Sequence, residues 1–67
     1  MSVAKIVEIK SSSEKSFEHA VKTGIKRASK TLDDIRGAWV AEQEVVVENG
    51  EIKEYRVLLR VTFILKD

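Results

Sequence analysis

Residues 38–65 read AWVAEQEVVVENGEIKEYRVLLRVTFIL, and the dipeptide Asn49-Gly50 in their middle decides the fold. Asn-Gly is the pair most favoured in a two-residue type I′ hairpin, because both central residues of that turn need positive φ. The flanking runs, residues 38–48 and 52–65, are rich in β-branched and aromatic side chains, so they are expected to be antiparallel strands. Taking Asn49-Gly50 as the turn sets a register. One face then pairs Ala38 with Val61, Val40 with Leu59 and Glu42 with Val57, with Phe63 and Leu65 beyond. The opposite face pairs Trp39 with Arg60, Ala41 with Leu58, Gln43 with Arg56, Val45 with Glu54 and Val47 with Ile52, with Thr62 and Ile64 beyond.

Upstream of the hairpin the apolar period changes from two to between three and four. Phe17, Ala20, Val21, Gly24, Ile25, Ala28 and Leu32 form one stripe, with Glu18, His19, Lys22, Lys26, Arg27 and Lys30 mostly between them. This is one amphipathic helix. Ser11 with Glu14 fits a capping box, and Ser13 is the competing start. Gly24 lies on the apolar stripe at a cost of up to about 1 kcal/mol of helix propensity, which implies close packing against another backbone. Residues 3–10 form a first strand, with Val7 and Ile9 separated by Glu8. A right-handed crossover then makes the first two strands parallel and places the last strand antiparallel between them, in spatial order 1-3-2. The fold class is α+β, a β-α-β-β subunit with one helix on a three-stranded sheet, in a single domain spanning residues 1–67.

A chain of 67 residues buries only about 60% of the surface its unfolded form exposes. There is no cysteine and one histidine, so neither disulfides nor a zinc staple can compensate, and oligomerisation is the usual remedy. The helix has one face of the sheet as its seat, and the sequence offers no second helix for the other. That second face should be covered by a copy of the same chain. The more polar stretch Ile52-Lys53-Glu54-Tyr55 places the hairpin tip beyond the helix, where it can embrace a neighbour. Lys and Arg total 12 against 11 Asp and Glu, a net charge of +1 that offers no field for a phosphate backbone. No apolar run can span a membrane and no signal-peptide pattern is present, which implies a soluble, cytoplasmic protein.

The uncovered face carries the candidate site residues Trp39, Gln43, Arg56, Leu58 and Arg60. Trp39 either stacks on a planar ligand or packs between subunits with Arg56 or Arg60 over its ring. Arg56 and Gln43 either grip a phosphate or carbonyl group or serve ion pairs across the interface. The carboxylates Glu42, Glu44, Glu48, Glu51 and Glu54 follow no calcium-loop spacing and read as a solvated strand surface paired with Lys53 or Arg56. Asp33 and Asp34 cap the turn after the helix, and His19 reads as solvated on the polar face. A third use of the open face is single-stranded nucleic-acid binding on Trp39, Arg56 and Arg60, against which the interleaved glutamates and near-neutral charge argue. No nucleophile motif, phosphate loop or metal-ligand spacing supports catalysis.

The order of elements, Thr31-Leu32-Asp33-Asp34 closing the helix, and Glu54-Tyr55-Arg56-Val57 leading to Val61-Thr62-Phe63 resemble the dodecin family over almost the whole chain. The resemblance implies a hollow twelve-subunit shell of tetrahedral symmetry that binds flavins (FMN, FAD or riboflavin) between sheet faces for storage, without turnover. Carried over by position, the family's ring-stacking tryptophan falls on Gly37, its edge-contacting glutamine on Arg56, and its acidic position on Glu42. Trp39 is two residues further on and roughly 6 to 7 Å along the strand. The resemblance therefore implies weak or no flavin binding, with a displaced Trp39 site as the alternative. Asp33-Asp34-Ile35-Arg36, Val40-x-Glu42-Gln43 and Tyr55-Arg56 look closer to the calcium-dodecin branch, although Trp39 departs from that pattern too. That likeness makes Ca2+ a further candidate ligand, with no residue assigned to hold it.

Overall fold

Asn49 at φ 53° and Gly50 at φ 78° form the turn that the dipeptide implies. The computed structural model describes residues 3–65. Within them run β1 (Ala4–Ser13), α1 (Phe17–Ala28), β2 (Ile35–Glu48) and β3 (Glu51–Ile64). β3 pairs antiparallel with both β1 and β2, giving the expected order β1-β3-β2. The core is small because α1 seats over β1 and β3 only. Val57, Leu59 and Val61 of β3 are fully buried against Ala20, with Val7, Ile9, Phe17, Val21, Ile25 and Ile35 packed around them. Burying three such side chains contributes about 1.5–3 kcal/mol each.

The helix begins later than the sequence suggests. β1 continues through Ser11, Ser12 and Ser13, which pair with Val57, Arg56 and Tyr55, so no capping box forms at Ser11. Ser16 is the N-cap instead, its Oγ accepting from the backbone N–H of His19 at 3.0 Å. Ser13 has a different task. It is buried, accepts from the Lys15 N–H at 2.9 Å, and places its Oγ 2.7 Å from His19 Nδ1. His19 is therefore tied to the strand end rather than merely solvated. At the other end the helix closes on Ser29, and Leu32 lies in the following turn, with its N–H still bonded to the Ala28 carbonyl. Asp34, at φ 55°, turns the chain into β2, its carbonyl accepting from the Ile64 N–H.

Gly24 allows the close approach expected of it, but to side chains rather than backbone. A Cβ there would lie 3.0 Å from the Ser11 Cβ and 3.1 Å from Leu59 Cδ1. These contacts set how deeply the helix sits on the sheet.

The simple hairpin register holds only at the two ends. Ala38–Val61, Trp39–Arg60, Val40–Leu59 and Val47–Ile52 pair as expected. Between them, register shifts fall between Val40 and Glu42 on β2 and between Val46 and Val47, where β3 steps from Glu54 to Ile52. One residue, Ala41, is thus extra on β2 and one, Lys53, on β3. The pairs Glu42–Val57, Ala41–Leu58, Gln43–Arg56 and Val45–Glu54 do not form; Glu42 lies opposite Leu58, Gln43 opposite Val57, Glu44 opposite Arg56 and Val45 opposite Tyr55. Because side chains alternate along a strand, a one-residue slip exchanges the faces.

The Ser16 cap predicts a contrast that urea unfolding at fixed protein concentration can measure. Ser16→Ala should cost about 1 kcal/mol by losing its bond to the first turn. Ser11→Ala, which keeps the Cβ against Gly24, should stay within about 0.5 kcal/mol. Equal losses at the two serines would refute the assigned cap.

Candidate functional site

The sheet face away from α1, here the open face, is read row by row across β1, β3 and β2. Its rows are Ile6–Thr62–Gly37, Glu8–Arg60–Trp39, Lys10–Leu58–Glu42 and Ser12–Arg56–Glu44. The bulge at Ala41 brings Glu42 and Glu44 onto this face. The same slip removes Gln43 to the Val57 row and carries Val45, Val47 and Ile52 to the helix side. The open face is consequently more polar than the unbulged register implies. Of the residues singled out for it, Trp39, Arg56, Leu58 and Arg60 are together and Gln43 is on the other side of the strand; Glu42, which the simple register sets on the helix side and the family resemblance places at the ligand site, joins them.

Arg60 is the centre of one cluster. Its Nε lies 3.2 Å from Glu8 Oε2, and its guanidinium carbon lies 5.9 Å from the centroid of the Trp39 ring. The anticipated packing partner of Trp39 is therefore Arg60. Trp39 remains 45% exposed, but one side of its ring already has a cation above it. Both charged groups of the Glu8–Arg60 pair are half in water, so the pair contributes at most about 1 kcal/mol.

A second cluster lies one row away. Lys10, Glu42, Gln43, Glu44, Arg56, Val57 and Leu58 line a shallow hollow of about 90 Å³. Arg56 reaches back to Glu54, Nε to Oε1 at 3.4 Å, and Lys53 reaches Glu48 at 3.8 Å, as expected of a solvated strand surface. With Arg56 and Arg60 both engaged by carboxylates and Glu42 and Glu44 beside them, the face lacks the run of unpaired cations that a nucleic-acid strand requires.

Gly37 completes the face at its other end. A Cβ built there would meet nothing within 4 Å, so the position opposite Thr62 is open space. The sequence identified Gly37 and Trp39 but neither the Ala41 bulge that adds Glu44 nor the Lys10–Leu58 pairing that adds Lys10. Ala41, where the apolar run 38–40 meets the polar run 42–44, gives no signal for a slip.

The helix side of β2 is bare as well. Val40 is 42% exposed, Val47 58% and Ile52 53%, because α1 lies over the other two strands. They form an apolar stripe running to the hairpin tip.

The dodecin family model matches residues 3–66 of this chain. Calcium dodecin of Mycobacterium tuberculosis is 40% identical over 63 residues, spanning 94% of this chain and 89% of that protein. A crystal structure of a Thermus thermophilus dodecin mutant is similar with a TM-score of 0.94 at 34% identity, covering 100% of both chains. The crystal structure of the M. tuberculosis calcium dodecin gives a TM-score of 0.82 at 38% identity, covering 96% of this chain and 91% of that one. A dodecin from Streptomyces davaonensis gives 0.93 at 27% identity, with 98% and 97% covered.

The Arg60–Trp39 contact can be measured in a double-mutant cycle with Arg60→Ala and Trp39→Leu. The expected coupling is about 0.5–1 kcal/mol, the value for a partly exposed cation–π pair. Arg60→Ala should also shift the emission of this single tryptophan to the red; an unchanged spectrum and zero coupling would show that the two groups do not interact.

Proposed function

Because the chain belongs to the dodecin family, we propose that it is a non-enzymatic subunit of a homo-oligomeric shell, a dodecamer, that binds and buffers a small ligand on its open sheet face. The residues that carry the site are Trp39, Glu42, Arg56, Leu58 and Arg60, joined by Lys10 and Glu44. A second copy completes the site by covering this face. The shell is taken to be cytoplasmic. The absence of cysteine suits a reducing compartment, and no helix among the described residues is long and apolar enough to cross a membrane.

The single observation that carries the ligand reading is at Gly37. The position that the resemblance assigns to a ring-stacking tryptophan has no side chain and open space around it. Trp39 is a poor substitute, since Arg60 covers one of its faces. Arg56 in place of glutamine sets a cation, already paired with Glu54, where a neutral edge contact would serve a flavin. The wild-type shell should accordingly bind FMN, FAD and riboflavin weakly or not at all.

Calcium is the second reading, favoured by the Ala41 bulge, which sets the Glu42 and Glu44 pair on the open face. The M. tuberculosis relative is described as calcium chelating. Calcium takes six to eight oxygen ligands. Among the described residues no three His, Cys, Asp or Glu side chains gather in a way that could hold a metal ion, so one subunit alone does not fit the ion. Its donors would have to come from more than one copy.

Native mass spectrometry and two titrations test this reading. A twelve-subunit mass is expected, with no quenching of flavin fluorescence by the wild type. The Gly37→Trp/Arg56→Gln double variant should gain quenching at least about tenfold in affinity, the effect of about 1.4 kcal/mol of added contact. Tight flavin binding by the wild type would overturn the substituted-site reading, and a monomeric mass would overturn the shell. If calcium is the ligand, calorimetric heat on adding Ca2+ should vanish in Glu42→Gln/Glu44→Gln.

A further inference from the structure

The rows of the open face use their charges differently. In the Glu8–Arg60–Trp39 row the cation is already held, by a carboxylate on one strand and an aromatic ring on the other. The next two rows, Lys10–Leu58–Glu42 and Ser12–Arg56–Glu44, leave theirs open. Arg56 lies directly opposite Glu44 in the register, yet its carboxylate contact is with Glu54, at 3.4 Å. Lys10, Glu42 and Glu44 have no ion-pair partner among the described residues. All three are exposed, and half-buried Leu58 lies between Lys10 and Glu42.

These side chains share one concave place. Lys10, Glu42, Glu44, Arg56 and Leu58 line the hollow of about 90 Å³, and Lys10 and Arg56 also line a second one of about 220 Å³ with Ser11 and Ser12. The signs are sorted by strand, with cations on β1 and β3 and carboxylates on β2. The Lys10–Leu58–Glu42 row therefore runs from plus through apolar to minus across two strand spacings, roughly 9.6 Å at about 4.8 Å each. A pure anion drawn to Lys10 and Arg56 meets Glu42 and Glu44 beside them. A pure cation drawn to those carboxylates meets Lys10 and Arg56. Only a molecule with both charges, one at each end of an apolar middle, finds the opposite sign at each end.

We infer that the ligand of the open face is a small amphoteric molecule, an ω-amino carboxylate, lying across the sheet from β1 to β2. Its carboxylate takes charge-assisted hydrogen bonds from Lys10 and Arg56, with the Ser12 hydroxyl beside them, and its ammonium donates to Glu42 and Glu44. Its methylene chain lies over Leu58. The inference rests on the ligand-binding reading above and names the class of ligand. A molecule of this kind needs no stacking ring, so the bare backbone at Gly37 costs it nothing, and Arg56 serves it better than a neutral glutamine.

Saturation-transfer NMR on the wild-type protein compares ε-aminocaproate with caproate and hexylamine, which share its six-carbon chain and each lack one charge. ε-Aminocaproate should bind at least about tenfold more tightly than either, the effect of one lost charged contact. Two variants read the two ends separately. Lys10→Met should weaken ε-aminocaproate by at least about tenfold and leave hexylamine no weaker, while Glu42→Gln should weaken it as much and leave caproate no weaker. Both variants should keep the wild-type oligomer mass. Equal binding of the three probes, or binding of none, overturns the inference. Loss of the oligomer mass in either variant assigns these charges to the contact between copies and overturns it too. A monomeric wild-type mass is the separate failure of the shell reading, and the probe comparison still decides the class of ligand.

Discussion

A twelve-residue helix is about 18 Å long at 1.5 Å per residue, whereas the fourteen-residue strands of the hairpin extend about 46 Å at about 3.3 Å per residue. Most features of the molecule follow from that mismatch. One helix can shelter only the part of the sheet where β1 and β3 lie side by side, and there it buries Val57, Leu59 and Val61 almost completely. Everything beyond its reach, the β2 edge, the open face and the hairpin tip, retains apolar surface that a single copy cannot hide. Extended unpaired edges and bare stripes of this kind are normally resolved by association. The principal extents of 51 × 19 × 13 Å describe a long, thin chain, most of whose hairpin lies outside the helix's cover.

Much of this was legible in the sequence because the strongest local signals agreed with the global fold. Asn49-Gly50 fixed the hairpin, the stripe from Phe17 to Leu32 fixed the helix although its last member lies in the turn after it, and crossover handedness fixed the strand order. The helix start was obscured by an excess of good caps. Ser11, Ser12, Ser13 and Ser16 are all competent, and the choice among them depends on how far β1 remains paired with β3, a long-range fact. The face assignments from Glu42 to Val47, and that of Ile52, failed for a related reason. A bulge inserts one residue without needing glycine or proline, and Ala41 and Lys53 carry no mark of one. The Trp39–Arg60 contact was legible because it lies below the first bulge, and the partnering of Gln43 with Arg56 was not because it lies above.

The functional consequence is a division of labour between the two sides of β2. Charged and aromatic groups gather on the open face, where Arg60 lies between Glu8 and Trp39 and where Lys10, Glu42, Glu44 and Arg56 surround Leu58. The aliphatic groups Val40, Val45 and Val47 gather on the other side and continue onto Ile52 at the tip. A single strand thus presents chemistry suited to a polar ligand on one surface and chemistry suited to packing on the other.

The paired bulges have a further consequence. Ala41 adds a residue to β2 and Lys53 adds one to β3, so these two offsets cancel, and the strands meet the turn in the register that they hold from Gly37 to Val40. The five residues between them on β2 behave as a reversible cassette. Straightening both bulges, with no residue lost, would return Val45 to the open face and Glu42 to the helix side while leaving the Asn49-Gly50 turn and the Trp39–Arg60 row in place. Such a change would rewrite the surface chemistry of the chain without altering its length, and evolution could alter what this face recognises without first having to rebuild how the chain folds.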